Sequence, residues 1–189
     1  MNSESVVDRE TVMDGKLRVF SLYVDFAAAV RARWATAQIS RLADDGWKTI
    51  SEMWNLESLA ASNPIRKMIA RDAADADVLV IAISSLDRRE AELVEWMDSL
   101  AAAKANRKDS GLFIGLLGDE NSRAAELDWT VKQFLRCARH MDRDFIWHWM
   151  EPGLMDTNDW MTSSVEALLS RKQPGYDVTF WQETAVAVA

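Results

Sequence analysis

Cysteine, histidine and tyrosine are nearly missing from this chain of 189 residues: there are one Cys, two His and two Tyr. A single Cys excludes an internal disulfide framework. Cys137, His140 and His148 are too few for a zinc site without carboxylate help, and their spacing fits no zinc motif. Long apolar runs are missing as well. The longest, Val78 to Ile83 and Leu112 to Leu117, fall far short of a bilayer span, so no membrane association is expected. The first ten residues are polar and acidic and do not read as a signal peptide. Clustered positive charge is the last absence. The net charge is -8 and the pI is near 4.8. Pairs such as Arg31 and Arg33, Arg66 and Lys67, and Arg88 and Arg89 are scattered among acidic residues. Phosphate neutralisation needs clustered Lys and Arg, so no nucleic-acid partner is expected. A cytoplasmic protein with a reduced Cys137 is the reading that results.

What is present suits one domain with tails. The chain is 49% hydrophobic and contains nine Trp. Its length is enough to bury a core without a metal or disulfide staple. Residues 1–16 show no sustained period and read as a mobile N-terminal arm, and residues 173–189 as a C-terminal tail. Between them lies a single α/β domain, 17–172.

Leu17 to Val24 is rich in β-formers and reads as a strand. Asp25 follows as the N-cap of a helix over Ala27 to Asp45, whose apolar stripe is Ala28, Ala32, Ala35, Ile39 and Leu42. Gly46 ends that helix. Lys48 to Trp54 reads as a half-apolar edge strand. Asn63-Pro64 opens a helix running to about Asp75. Val78 to Ile83 and Leu112 to Leu117 are apolar throughout, as strands covered on both faces are. Between them, Asp87 to Glu90 resembles a capping box, and Leu93, Trp96, Met97 and Leu100 form the inward stripe of a helix. Trp129 to Met141 is a helix with Val131, Phe134, Leu135 and Ala138 inward. Phe145 to Met150 is the fifth strand. Asp159 opens a last helix to Lys172, with Met161, Val165, Leu168 and Leu169 inward.

Five βα units in succession predict a three-layer α/β/α sandwich around a parallel sheet of flavodoxin-like order 2-1-3-4-5. In such a sheet, ligands bind beyond the strand C-termini, where strand order reverses. That point lies between strands one and three. Candidate ligand-binding residues there are Asp25, Ser84 and Ser85, with Phe26 beside them, Trp54 and Asn55 from strand two, and Asp119 after strand four. Gly118, Asn121, Trp149 and Glu151 lie along the same rim. Each has a plainer role as well: Asp25 as a helix cap, the serines and Asp119 as turn formers, and the Trp residues as packing. Trp54 and Trp149 sit on opposite edge strands, roughly 19 Å apart at ~4.8 Å per strand, too far to sandwich one ring.

The element order resembles response-regulator receivers and flavodoxins. Asp25 falls where a receiver has its acidic cluster. A receiver also needs Asp, Ser or Thr, and Lys at the ends of strands three, four and five. Here those places hold Ser84-Ser85, Gly118-Asp119 and Trp149-Met150, so phosphoryl-transfer chemistry is not expected. A flavodoxin holds its flavin phosphate in a Ser/Thr- and Gly-rich loop after strand one. Here that loop is Asp25-Phe-Ala-Ala-Ala29, with a carboxylate and no Gly. No cofactor is therefore expected, and neither a GxGxxG nor a P-loop motif occurs. The stretch from Ala76 through Leu100 resembles TIR domains and nucleoside deoxyribosyltransferases, in which a Glu acts on an N-glycosidic bond. That resemblance implies Glu95 as the catalytic residue, with Glu92 second. Tyr23-Val-Asp-Phe26, Met53-Trp-Asn-Leu56 and Ala76 to Ile81 with Glu95-Trp96 are similar to small uncharacterised bacterial proteins of this size, which implies the fold and leaves function open.

The preferred reading is a non-catalytic module that binds a protein partner or a small ligand at the C-terminal edge of the sheet. The alternative is an enzyme acting on an N-glycosidic bond. Self-association is expected, if anywhere, at the aromatic strand-five edge.

Overall fold

The structure is a computed structural model and describes residues 15–43, 46–60, 63–84, 90–103, 110–118, 124–149 and 159–172. The expected tails, Ser85, the Asp87 to Glu90 box, Asp119, Asn121, Met150 and Glu151 lie, wholly or in part, outside the described residues.

The chain alternates strand and helix. β1 (Gly15–Tyr23) leads to α1 (Phe26–Leu42) and β2 (Trp47–Asn55). Two helices, α2 (Leu56–Ala60) and α3 (Asn63–Asp75), precede β3 (Val78–Ile83). Then follow α4 (Glu90–Ala102), β4 (Gly111–Leu117), α5 (Ala124–His140), β5 (Arg143–Trp149) and α6 (Asp159–Lys172). All strand pairs are parallel, in the order β2-β1-β3-β4-β5. This is the flavodoxin-like order that the five βα units predict.

Parallel partners share a face, so two contacts orient the whole sheet. Ser21 of β1 lies 3.0 Å from the Thr36 hydroxyl of α1, which puts the odd residues of β1 under α1. Phe20 stacks on Trp96 of α4 at 6.3 Å, which puts the even residues under the other layer. Helices α1 and α6 cover the first face; α2, α3, α4 and α5 cover the second. β3 and β4 lie between both layers and every residue of each is buried, which is why both read as unbroken apolar runs. On the second face, Phe113, Phe134 and Phe145 form an aromatic cluster with centroids 5.2–6.5 Å apart.

Several boundaries differ from the sequence reading, each for a local reason. β1 starts two residues earlier, at Gly15, because Gly15 pairs with Trp47. A Cβ at Gly15 would lie 2.5 Å from the Trp47 ring, so only glycine lets the indole lie flat there. α1 ends at Leu42 with Ala43 as its C-cap, three residues short of the predicted end. Gly46 (φ 113) instead makes the turn into β2, and Trp47 N–H bonds the Ala43 carbonyl at 3.1 Å. α2 was not predicted; at five residues it is too short to show a period. α5 begins five residues before Trp129, and its buried stripe is Thr130, Phe134, Cys137 and Ala138, rotated from the predicted one. Val131 and Leu135 are only partly buried. Trp147 is 48% exposed because β5 is an edge strand.

Candidate functional site

Strand order reverses between β1 and β3: the crossover from β1 runs toward β2 and the one from β3 toward β4. The C-termini of these two strands therefore border the crevice that this topology leaves open. Asp25, just past β1, has extended backbone (φ -150, ψ -179), and its Oδ1 accepts the Ala28 N–H at 2.8 Å. The predicted cap is present. The same Oδ1 also accepts the Ser84 hydroxyl at 3.0 Å. Ser84, just past β3 and 4% exposed, in turn accepts a hydrogen bond from Arg31 Nη1 at 3.1 Å. A buried guanidinium, a hydroxyl and a carboxylate thus form a continuous chain across the reversal point. Two of the sequence candidates, Asp25 and Ser84, are brought into direct contact.

Arg31 is the member that sequence reasoning missed. It was counted among scattered surface cations, yet it is buried, with 6% exposure. The signal was there: Arg31 is three residues after Ala28 and four before Ala35, so it belongs to the inward stripe of α1. Small Ala neighbours leave room for its side chain over the sheet.

The other candidates serve the local backbone or lie elsewhere. Asn55 Oδ1 accepts the Glu57 N–H at 2.7 Å and so starts α2. Trp54 packs against the core from β2, and its buried Nε1 has no hydrogen-bond partner among the described residues. Glu95 sits on α4 with its side chain 63% exposed and pairs with Arg66 of α3 at 2.7 Å. Among the described residues its ion partner is thus on a neighbouring helix rather than at the strand-order reversal. Glu92 lies one turn earlier on α4 and is half-buried. At the end of β4, Gly118 (φ 92) holds the chain so close to Trp149 that an added Cβ would lie 3.0 Å from the indole. That end of the rim is filled by a ring. Beside Asp25 the surface is different: Phe26 is 84% exposed, and Val30, one turn later on the same helix side, is 43% exposed.

The fold raises the question of a flavin, whose phosphate would lie at the N-terminus of α1. The residues do not fit it. The N–H of Ala28 is taken by a carboxylate, which would repel the phosphate, and the turn from Val24 through Ala29 has no glycine to allow close approach. Among the described residues no group of three or more His, Cys, Asp and Glu could hold a metal ion, and no helix is long and apolar enough to cross a membrane.

A concavity of about 60 Å³ lies between α4 and α5 and is lined by Met97, Asp98, Arg136, Cys137 and His140 among others. Its thiol is buried. Burial pushes the Cys137 pKa up to about 12, against the weaker opposing pull of Arg143. Its Sγ rests 3.9 Å from the Met97 carbonyl and 3.7 Å from the Met141 sulfur.

Comparison with solved structures bears out the fold. A short-chain flavodoxin associated with a PDU bacterial microcompartment superposes with a TM-score of 0.51 at 15% identity, covering 83% of this chain and 99% of that one. Smu.1420 from Streptococcus mutans UA159 gives a TM-score of 0.41 at 10% identity, covering 80% and 96%. No family model matches the sequence, and no curated protein does. The chain has a flavodoxin-like α/β fold, at an identity to its structural neighbours that carries the architecture and nothing of their chemistry.

Proposed function

We propose that this chain is a non-catalytic binding module that takes its ligand, a small molecule or a segment of a protein partner, at the C-terminal ends of β1 and β3. The observation that supports this reading is the Arg31–Ser84–Asp25 chain. The Ser84 hydroxyl donates to Asp25 and accepts from Arg31, so its oxygen is held as a structural link rather than presented as a nucleophile. Asp25 Oδ1 takes both of the carboxylate's hydrogen bonds, and Oδ2 accepts none among the described residues. Beside it stands Phe26. The pair suits a ligand that joins an apolar body to a hydrogen-bond donor, such as an amine, an ammonium or a hydroxyl.

The test uses the indole N–H signals of the Trp residues. A fragment screen by two-dimensional NMR on the full chain should give hits that shift the Trp54 indole and the Phe26 and Ser84 amides together. Phe26→Ala should abolish those shifts while the rest of the spectrum is unchanged. In parallel, the protein is incubated with NAD and a panel of nucleosides. Base release that is lost in Glu95→Gln would overturn the non-catalytic reading in favour of N-glycosidic bond chemistry. Hits that map only to the α4–α5 concavity would overturn the location.

A further inference from the structure

The described residues leave one long strand edge without a neighbour next to a set of unpaired charges. β2 spans nine residues at the end of the sheet. Most of it is exposed: Lys48, Ile50, Ser51, Glu52 and Met53 all face solvent, with Ile50 at 38% and Met53 at 39%. An edge of this kind presents a row of free N–H and C=O groups. Neither Lys48 nor Glu52 makes an ion pair or hydrogen bond with another described residue. Both lie on the even face of the strand with Ile50 between them, spaced two residues to either side.

That spacing is self-complementary. In an antiparallel pair of two β2 strands related by a two-fold axis at Ile50, each residue meets the one whose number makes the sum 100. Lys48 then faces Glu52 of the second copy, Glu52 faces its Lys48, and Ile50 meets Ile50. On the other face Thr49 meets Ser51 and Trp47 meets Met53. No other register of the strand opposes the two charges. Shifting the axis to Thr49 sets Lys48 against Ile50, and shifting it to Ser51 sets Glu52 against Ile50. Opposite charges directly across a ladder stabilise a pair, and a two-fold axis doubles each contact.

We propose that the β2 edge binds a second copy of this chain by antiparallel pairing centred on Ile50, so that two five-stranded sheets join across a two-fold axis. The opposite edge is less suited. On β5, Asp144 is already paired with Arg171 of α6 and His148 is stacked on Trp160. Those two polar side chains are committed within their own protomer. The expectation of an aromatic strand-five contact thus gives way to the charged strand at the other end. Seven residue pairs make a small contact, of the size that weak, reversible association uses. The face lies apart from the Asp25 rim, and the inference does not depend on the ligand proposed there.

Sedimentation equilibrium on the full chain tests this. The wild-type protein should be a dimer at high micromolar concentration, weakened by added salt. Lys48→Glu and Glu52→Lys each replace two attractive pairs by two repulsive ones and should each raise the dissociation constant by about tenfold or more. Both positions are exposed, and circular dichroism should show both variants folded as the wild type. Mixing the two variants in equal amounts restores both pairs and should restore the dimer, now as a heterodimer. A monomeric wild type overturns the proposal, as do single variants that dimerise like the wild type, or a mixture that associates no better than its components.

Discussion

Asp25 joins two functions that a sequence presents as alternatives. Its Oδ1 both caps α1 and accepts from Ser84, so one atom ties the helix start to the end of β3. Asp25→Ala should lose both bonds and cost about 1–2 kcal/mol of stability, measured by urea unfolding. Asp25→Ser keeps a capping oxygen and should recover much of that loss. At the same scale, His148 is a pH-sensitive residue by virtue of its position. It stacks on Trp160 at 4.5 Å, and burial lowers its pKa below the ordinary 6.5. The folded state therefore holds the ring neutral in a window where the unfolded chain already binds a proton. Above pH 6.5 the ring is neutral in both states. As the pH falls through 6.5 toward the folded-state value, the unfolded state takes up protons first and stability declines. Thermal midpoints recorded between about pH 5 and 8 should fall less on the acid side for His148→Phe, which keeps the stack and removes the proton.

Elements were legible in the sequence where burial is two-sided and obscure where it is not. β3 and α6 have the predicted ends, since an unbroken apolar run and a clean apolar stripe leave little choice. α2 and the first turn of α5 carried no such signal. The Arg31 case is more instructive, because hydropathy alone assigned that residue to the surface while its helical position assigned it to the core. Arg143 repeats the pattern at the opposite end of the sheet. It is the first residue of β5 and only 8% exposed. Its Nη2 lies 2.7–3.2 Å from the carbonyl oxygens of Ala73, Ala74 and Ala76, so a strand residue donates to carbonyls at the end of α3, where the Ala73 oxygen also accepts the Ala76 N–H at 3.3 Å. The positive charge also sits at the negative end of the helix dipole. Arg143→Met keeps the apolar stem and strips the donors. It should destabilise the protein by about 2–4 kcal/mol in urea, with an unchanged m value, because buried carbonyls lose a charged donor. A loss under 1 kcal/mol would mean that water or a neighbour replaces the guanidinium at little cost (about the worth of one ordinary hydrogen bond).

The whole molecule combines a flavodoxin-like sheet with a reversal point built differently from a flavin site. The scarcity of Cys and His left little reactive chemistry to place, and Cys137, the one thiol, is buried with its pKa at about 12. The topology was readable because five βα units admit few parallel arrangements. The site was readable only in part, because contact between Asp25 and Ser84, 59 residues apart, is a product of strand register that spacing along the chain does not encode. The flavin question turns on the start of α1, which is local in sequence. A phosphate at the start of α1 needs free N–H groups and a close backbone. Asp25 places a negative charge on the Ala28 N–H, and alanine side chains follow it at 27, 28 and 29. Flavin mononucleotide titrated into the protein should therefore leave both flavin and Trp fluorescence unchanged. Asp25→Ser removes the charge but keeps the cap and the alanines, so it should not bind flavin either. Binding by the serine variant alone would show that repulsion by Asp25 was the whole barrier. Binding by the wild type would mean that the helix start reorganises around the phosphate, giving up the bonds from Ala28 and Ser84, and the stability of the complex would then have to exceed that loss.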